Sequence, residues 1–197
     1  MVLDIHILDV NKINVDDLLN SSLLSDDNRA SLFRYKNELV RKEKITSLFF
    51  KRKYVGDFIV DEHGKPIKEG LFFNISHSHG LVVFVSNEKY PIGIDVELVR
   101  KAETKLVDYV LTDLEKEIVK TDRDFYNLWT SKESLLKATG VGISKRLKEV
   151  PALPLNGKKV FEDRTFNSKT FDYDGYVITI TLESDEDIEY KIIEERL

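Results

Sequence analysis

The segment Gly93-Ile94-Asp95-Val96-Glu97 carries two carboxylates one strand period apart. Side chains of an extended chain alternate faces, so Ile92, Ile94, Val96 and Leu98 share one face while Asp95 and Glu97 project together from the other. Two like charges roughly 6.5 to 7 Å apart repel, and a hard cation between them removes that cost. Gly93 is expected to let a ligand approach closely. The plain alternative is an amphipathic strand with solvated acids.

A second constellation lies on the helical stretch Phe125 to Lys137. Trp129, Lys132, Glu133, Leu136 and Lys137 fall on one broad face, with Glu133 and Lys137 in the favourable i,i+4 order. A surface salt bridge beside a core tryptophan would look the same. A third, Asn74-Ile75-Ser76-His77-Ser78, gathers an amide, hydroxyls and an imidazole at a strand end, the donors that a phosphate needs. Ser76 and His77 are neighbours on a strand and point to opposite faces, which excludes a serine nucleophile with a histidine base. A surface polar turn is the alternative here. The fourth, Gly64-Lys65-Pro66, is a turn without Walker spacing. His6, His63 and His79 show no metal-type spacing, and Gly140-Val-Gly142 is too short for a dinucleotide fingerprint.

The elements that must position these residues can be read from the hydrophobic pattern. Residues 2–10 alternate as a strand, and Ser25-Asp-Asp-Asn at 25–28 is a helix start. Residues 29–55 read as one or two helices, 71–76 and 81–86 as a hairpin, and 92–99 as a strand. One or two helices are expected over 103–120 and a clear one over 124–139. A Pro-containing loop at 150–158 precedes strands near 159–162, 169–173, 176–182 and 188–193, with Asp174-Gly175 as a hairpin turn. Helix followed by hairpin occurs in both halves, which leaves an internal pseudo-repeat open.

The 197 residues, 42% hydrophobic, suffice for one packed domain or two small lobes. The chain has no cysteine, which excludes disulfides, thiolate zinc sites and iron–sulfur clusters. The net charge of −5 argues against a protein that coats nucleic acid. It hides an asymmetry: from Arg29 to Lys53 nine basic residues face only Glu38 and Glu43, while the tail from Glu183 is acidic. A confined basic patch on an acidic chain suits an anionic ligand, or is simply a solvated helix face. With no long apolar run and no export signal in MVLDIHILDVNK, a cytoplasmic location is expected.

In order and spacing, the four motifs together resemble the 4′-phosphopantetheinyl transferases of the Sfp-like type. That family's pattern is a Gly-Lys-Pro turn, then F-N-[IL]-S-H-S, G-[IV]-D-[IV]-E and W-x-x-K-E-[SA]-x-x-K. This chain has Gly64-Lys65-Pro66, Phe73 to Ser78, Gly93 to Glu97, and Trp129 to Lys137. The resemblance implies an enzyme that moves the phosphopantetheine arm of coenzyme A to a serine of an acyl or peptidyl carrier protein, releasing adenosine 3′,5′-bisphosphate. It implies Mg²⁺, with Mn²⁺ as the alternative, held by Asp95, Glu97 and Glu133. Glu133 would accept the serine proton directly or through water, and Lys137 would neutralise phosphate charge. Lys132 would orient the pyrophosphate. Asn74, Ser76, His77, Lys65, Arg34 and Arg41 would contact coenzyme A.

The implied fold is α/β, or α+β: a pseudo-dimer of two similar lobes, each a small sheet on a long helix, with residues 1–90 and 91–197 forming one compact unit. A monomer is expected, with neither nucleic acid nor membrane as partner. The carrier would serve fatty acid, polyketide or nonribosomal peptide synthesis. The chain is short for the two-lobed type, so the loops near 57–70 and 140–160 are expected to be trimmed. The alternative is a non-catalytic coenzyme A or nucleotide-binding module that kept the fold.

Overall fold

Thr121 caps a helix with a reciprocal Asp124 bond, and Gly140 ends it in the left-handed conformation, so sequence bounds the longest helix, Asp122–Thr139, at both ends. In this computed structural model, residues 1–61, 65–140 and 147–196 are described. His63, Gly64 and Gly142 therefore lie outside the described residues.

The elements run β1 (Val2–Asp9), α1 (Val15–Leu19), α2 (Asp26–Leu32), α3 (Glu38–Tyr54), β2 (Ile59–Val60), β3 (Pro66–Ile67), β4 (Phe72–Ser78), β5 (Leu81–Asn87) and β6 (Ile92–Leu98). They continue with α4 (Thr104–Val110), α5 (Asp113–Ile118), α6 (Asp122–Thr139), β7 (Gly157–Phe161), β8 (Arg164–Tyr173), β9 (Tyr176–Leu182) and β10 (Glu189–Glu194). Ser25 caps α2 as expected, and Asp174 and Gly175 both take positive φ in the β8–β9 turn. The helix α1 was not expected.

The fold is mixed α/β. One four-stranded sheet has the order β10-β1-β5-β4 and the other β6-β9-β8-β7. Alternation gives each sheet two apolar faces. Leu3, Ile5, Ile7, Leu81, Val83 and Val85 of the first sheet meet Ile92, Ile94, Val96, Ile178, Ile180 and Leu182 of the second. Behind the first sheet, Val82 and Phe84 pack with Ile45, Phe49 and Phe50 of α3. Behind the second, Val177 and Phe166 pack with Phe125, Leu128 and Leu135 of α6. The four layers are helix, sheet, sheet, helix.

Strand β10 leaves the second half of the chain and pairs in parallel with β1, Val2 opposite Glu189. The acidic tail thus has a structural use. Glu195 accepts from His6 Nδ1 and Lys53 Nζ, both at 2.7 Å, and from Tyr54.

The edge strands β4 and β6 meet where the sheets adjoin. There Asn74 Oδ1 accepts from the Ile94 N–H at 3.0 Å. The other face of β6 lies on α6, and a seam of hydroxyls joins that helix to the neighbouring β9, with Thr130 to Thr179 and Ser134 to Thr181 both at 2.8 Å.

Gly93 makes that contact possible. A Cβ built there would lie 2.0 Å from Ser134 O and 2.5 Å from Ala138 N, both rigid helix backbone. The expected ligand approach at Gly93 is thereby corrected: α6 itself occupies the space above it. Gly93→Ala should destabilise the fold by about 3 kcal/mol, read as a lower urea midpoint. An unchanged midpoint would contradict the close packing.

Candidate active site

Asp95, next but one along β6 from Gly93, is 4% exposed beneath α6. Its Oδ1 accepts from Ser76 Oγ at 2.9 Å and from Lys137 Nζ at 2.6 Å. The same ammonium donates to Ser76 Oγ at 2.9 Å and to Ile94 O at 3.2 Å. Lys137 therefore ion-pairs with Asp95, where the helical spacing pointed to Glu133. Asp95 Oδ2 is buried and accepts no hydrogen bond among the described residues.

Glu97 accepts from Ser78 Oγ at 2.8 Å, and that hydroxyl accepts in turn from the Leu98 N–H at 3.3 Å. Glu133 is buried on α6 and takes a hydrogen bond from Trp129 one turn earlier. Trp129 stacks on Tyr126 with ring planes 15° apart. A cleft of ≈ 260 Å³ opens between β4, β6 and α6, lined by Ile75, Ser76, His77, Asp95, Glu97, Trp129, Glu133 and Lys137. Three of the four sequence motifs thus converge on one cleft.

The charges in it are crowded. Burial and then the Asp95 charge push Glu97 up to about 7, against Ser78 and Lys137. Burial and Asp95 likewise push Glu133 up to about 7, against Lys137 and Trp129. Three carboxylates, one with an orphaned buried oxygen, form an all-oxygen donor set of the kind hard cations take. Among the described residues no three such groups already stand in ligating arrangement. The fit rests on the donor chemistry and on Asp95 Oδ2.

The remaining sequence candidates are dispersed. His77 lines the cleft but turns its ring nitrogens toward α3, Nδ1 lying 3.1 Å from Glu43 and Nε2 3.0 Å from Lys44. The Asn74 amide oxygen is engaged in joining β4 to β6. Lys65 Nζ donates to Lys137 O at the end of α6, at 3.3 Å, and burial lowers its pKa. Arg34 is exposed on the bend between α2 and α3, stacked on Tyr35. Arg41 lines a separate groove with Leu32, Phe33 and Glu38. The structure does not bring these two arginines to the carboxylates.

Lys132 corrects the sequence reading outright. It is fully buried on the side of α6 away from the cleft. Its ammonium is saturated by Val110 O at 3.1 Å, Leu147 O at 3.0 Å and Glu115 Oε2 at 2.7 Å. Nothing is left to orient a pyrophosphate; Lys132 ties α6 to α4 and α5. Glu43 and Lys44, which sequence reasoning left in the basic run, stand at the cleft's edge.

The sequence model of the 4′-phosphopantetheinyl transferase superfamily matches residues 91–181, the segment that carries Asp95, Glu97, Glu133 and Lys137. The resemblance to the Sfp-like type is borne out by individual relatives. The chain is 36% identical over 102 residues to 4′-phosphopantetheinyl transferase HetI of Nostoc sp., covering 45% of this chain and 43% of that one. It is 35% identical over 96 residues to 4′-phosphopantetheinyl transferase Sfp of Bacillus subtilis, covering 44% and 42%. To 4′-phosphopantetheinyl transferase gsp of Aneurinibacillus migulanus it is 30% identical over 141 residues, 62% and 59%. The chain thus spans about half the length of the curated relatives it matches.

Two predictions follow from the charges. Glu97 and Glu133 are protonated up to about pH 7 in the fold, against an ordinary value of 4.5, so their burial is harmless in acid and weakens the fold as pH rises through that window. In EDTA, Glu97→Gln should therefore raise the melting temperature at pH 8 and leave it unchanged at pH 4; no difference at pH 8 would contradict the raised value. Lys132→Met should cost about 3 kcal/mol by stranding Glu115, measured in urea. An unchanged urea midpoint would contradict the anchoring role.

Proposed function

We propose that the protein transfers the 4′-phosphopantetheine arm of coenzyme A to a serine hydroxyl of an apo acyl or peptidyl carrier protein. The observation that carries this is the cleft in which Asp95, Glu97, Glu133 and Lys137 meet under Trp129, within the segment that matches the transferase superfamily.

The reaction exchanges a phosphoanhydride bond for a phosphoester bond. The serine oxygen bonds to the β-phosphorus of the coenzyme's pyrophosphate, the bond to the bridging oxygen breaks, and adenosine 3′,5′-bisphosphate leaves. The serine proton goes to Glu133, whose carboxyl titrates near neutrality and so can take a proton and release it again. Lys137 supplies a fixed positive charge beside the reacting phosphates, and Ser76, Asp95 and the Ile94 carbonyl hold it there through three bonds. Asp95, Glu97 and Glu133 would hold Mg²⁺ or Mn²⁺, which when bound withdraws negative charge from the pyrophosphate oxygens. Trp129 and Ile75 give the cleft apolar walls that limit water. Lys65, at the end of α6, supports the coenzyme's remaining charge.

In this reading the lobes are residues 1–90 and 91–197, related as a pseudo-dimer, with β10 crossing back to complete the first sheet. The site lies on the seam of edge strands β4 and β6, and one chain suffices, as a monomer. Among the described residues no helix is long and apolar enough to cross a membrane, and a cytoplasmic location fits a carrier-protein substrate.

Incubation with coenzyme A, Mg²⁺ and an apo carrier should add one phosphopantetheinyl mass to the carrier serine by mass spectrometry. No adduct on any of several carriers would sink the proposal. Asp95→Ala should abolish transfer with the circular dichroism spectrum intact; a fully active variant would overturn the metal assignment.

A further inference from the structure

Strand β4 ends in a serine that the chemistry above does not use. Asn74, Ser76 and Ser78 alternate along the strand and therefore share one face. That face meets β6 in register. Asn74 Oδ1 accepts from the Ile94 N–H at 3.0 Å, and Ser78 Oγ accepts from the Leu98 N–H at 3.3 Å, four residues further along both strands. Side chains of one edge strand thus replace the backbone acceptors of an ordinary ladder. Along the same rail Ser76 meets Asp95 at 2.9 Å and Ser78 meets Glu97 at 2.8 Å.

A hydroxyl has one proton and two lone pairs. Ser78 is 7% exposed, and three groups surround its Oγ: Glu97 Oε2, the Leu98 N–H, and His79 Nδ1 at 3.0 Å. An ionised carboxylate has no proton to give. The hydroxyl proton therefore goes to Glu97, and both lone pairs are left to the Leu98 N–H and a protonated His79 Nδ1. With every place filled, the hydroxyl cannot turn away from Glu97.

Both carboxylates of β6 are then held in the same way. Asp95 Oδ1 takes protons from Ser76 and Lys137, while Oδ2 takes none among the described residues. Of the Glu97 oxygens, Oε2 is the one bonded among the described residues. Each carboxylate has one oxygen engaged by the scaffold and one to offer. Mg²⁺ demands a small, strict octahedron and takes single oxygens from carboxylates, with water and phosphate completing the shell. Ca²⁺ is larger, takes more oxygens and commonly both from one carboxylate.

We infer that Ser78 determines which divalent cation the cleft takes. It is a positioning residue acting through Glu97: by occupying Oε2 it leaves that carboxylate one oxygen to give, which favours Mg²⁺ and Mn²⁺ over Ca²⁺. The cation role rests on the transferase reading, through Asp95, Glu97 and Glu133 as ligands; the path of the Ser78 proton does not.

Two measurements on the full chain test it. The first is a long-range ¹H–¹⁵N spectrum of the histidines in EDTA at pH 9, where Glu97 is ionised. Wild type should show His79 protonated at Nδ1, and Ser78→Ala should return that ring to the Nε2 form. A bare Nδ1 in wild type would give the Ser78 proton to His79. That result, or a ring unchanged in the variant, overturns the positioning role whether or not metal binds. The wild-type spectrum decides the proton's path even where Ser78→Ala does not fold.

The second follows Mn²⁺ binding by electron paramagnetic resonance with saturating coenzyme A and no carrier, and its displacement by Mg²⁺ or Ca²⁺. Relative to wild type, the preference in Ser78→Ala should shift about tenfold toward Ca²⁺. Ser78→Thr keeps the hydroxyl and should restore the wild-type preference. Tyr176 OH donates to His79 O at 3.0 Å and clamps the same turn without touching Glu97. Tyr176→Phe should therefore match wild type. An unchanged preference in Ser78→Ala, or an equal shift in Tyr176→Phe, overturns the inference with the metal site intact. A wild-type protein that binds no Mn²⁺ overturns the metal reading itself, and the cation preference with it.

Discussion

The site depends on a close approach of backbone to backbone. At Gly93 the strand β6 has no side chain, and α6 settles onto it until the Ser134 carbonyl and the Ala138 N–H occupy the position of a Cβ. The whole cleft is measured from that contact. Asp95 is one strand period beyond it, and Lys137 precedes Ala138 on the helix, so the ammonium drops onto the carboxylate. Glu133, one turn earlier, comes to overhang Asp95 and Glu97. A separation of ordinary helix and sheet, about 10 Å, would leave these groups too far apart to feel one another. The hydroxyls of Thr130, Ser134, Thr179 and Thr181 serve the same end, since small polar side chains satisfy one another without holding the layers apart.

Such a cluster is not a source of stability. Two carboxyls held near neutrality and one oxygen without a partner are costs that the surrounding apolar layers must offset. The offset is visible on either side. Ile92, Ile94 and Val96 point from the same strand into the core between the sheets, and the far face of α6 is anchored by the fully satisfied ammonium of Lys132. One helix thus carries two lysines of opposite character: Lys132 is spent on the scaffold, and Lys137 is partly exposed and paired with Asp95 in the cleft.

Much of this was legible in the residues. Alternation over 92–98 placed Asp95 and Glu97 on one face and the isoleucines on the other, and the structure keeps that division. The helix expected over 124–139 begins two residues earlier, at Asp122, and Asp174-Gly175 marked the β8–β9 hairpin. Three features escaped for physical reasons. The helix α1 spans five residues, too few to show a period. Lys132 neighbours Glu133 and seemed to share its face, but one residue on a helix is about 100° of rotation, enough to carry it to the opposite side. Its partner Glu115 lies on another helix, which no spacing rule reaches. Within the basic run of α3, Glu43 looked like one acid among many solvated charges; only tertiary packing shows it turned inward beneath His77.

The pairing of β10 with β1 sets an order of events in synthesis. Strand β1 precedes every other strand, and of its two neighbours in the sheet β10 follows all the strands of the second sheet. Until β10 is made, β1 exposes an unpaired apolar edge, and Glu195 cannot close over His6, Lys53 and Tyr54. The first sheet is therefore finished after the second, although its strand β1 is made before any of the second's. A nascent chain stopped anywhere before residue 189 leaves the ribosome with its opening strand half-matched, a substrate for chaperones or for another strand's edge.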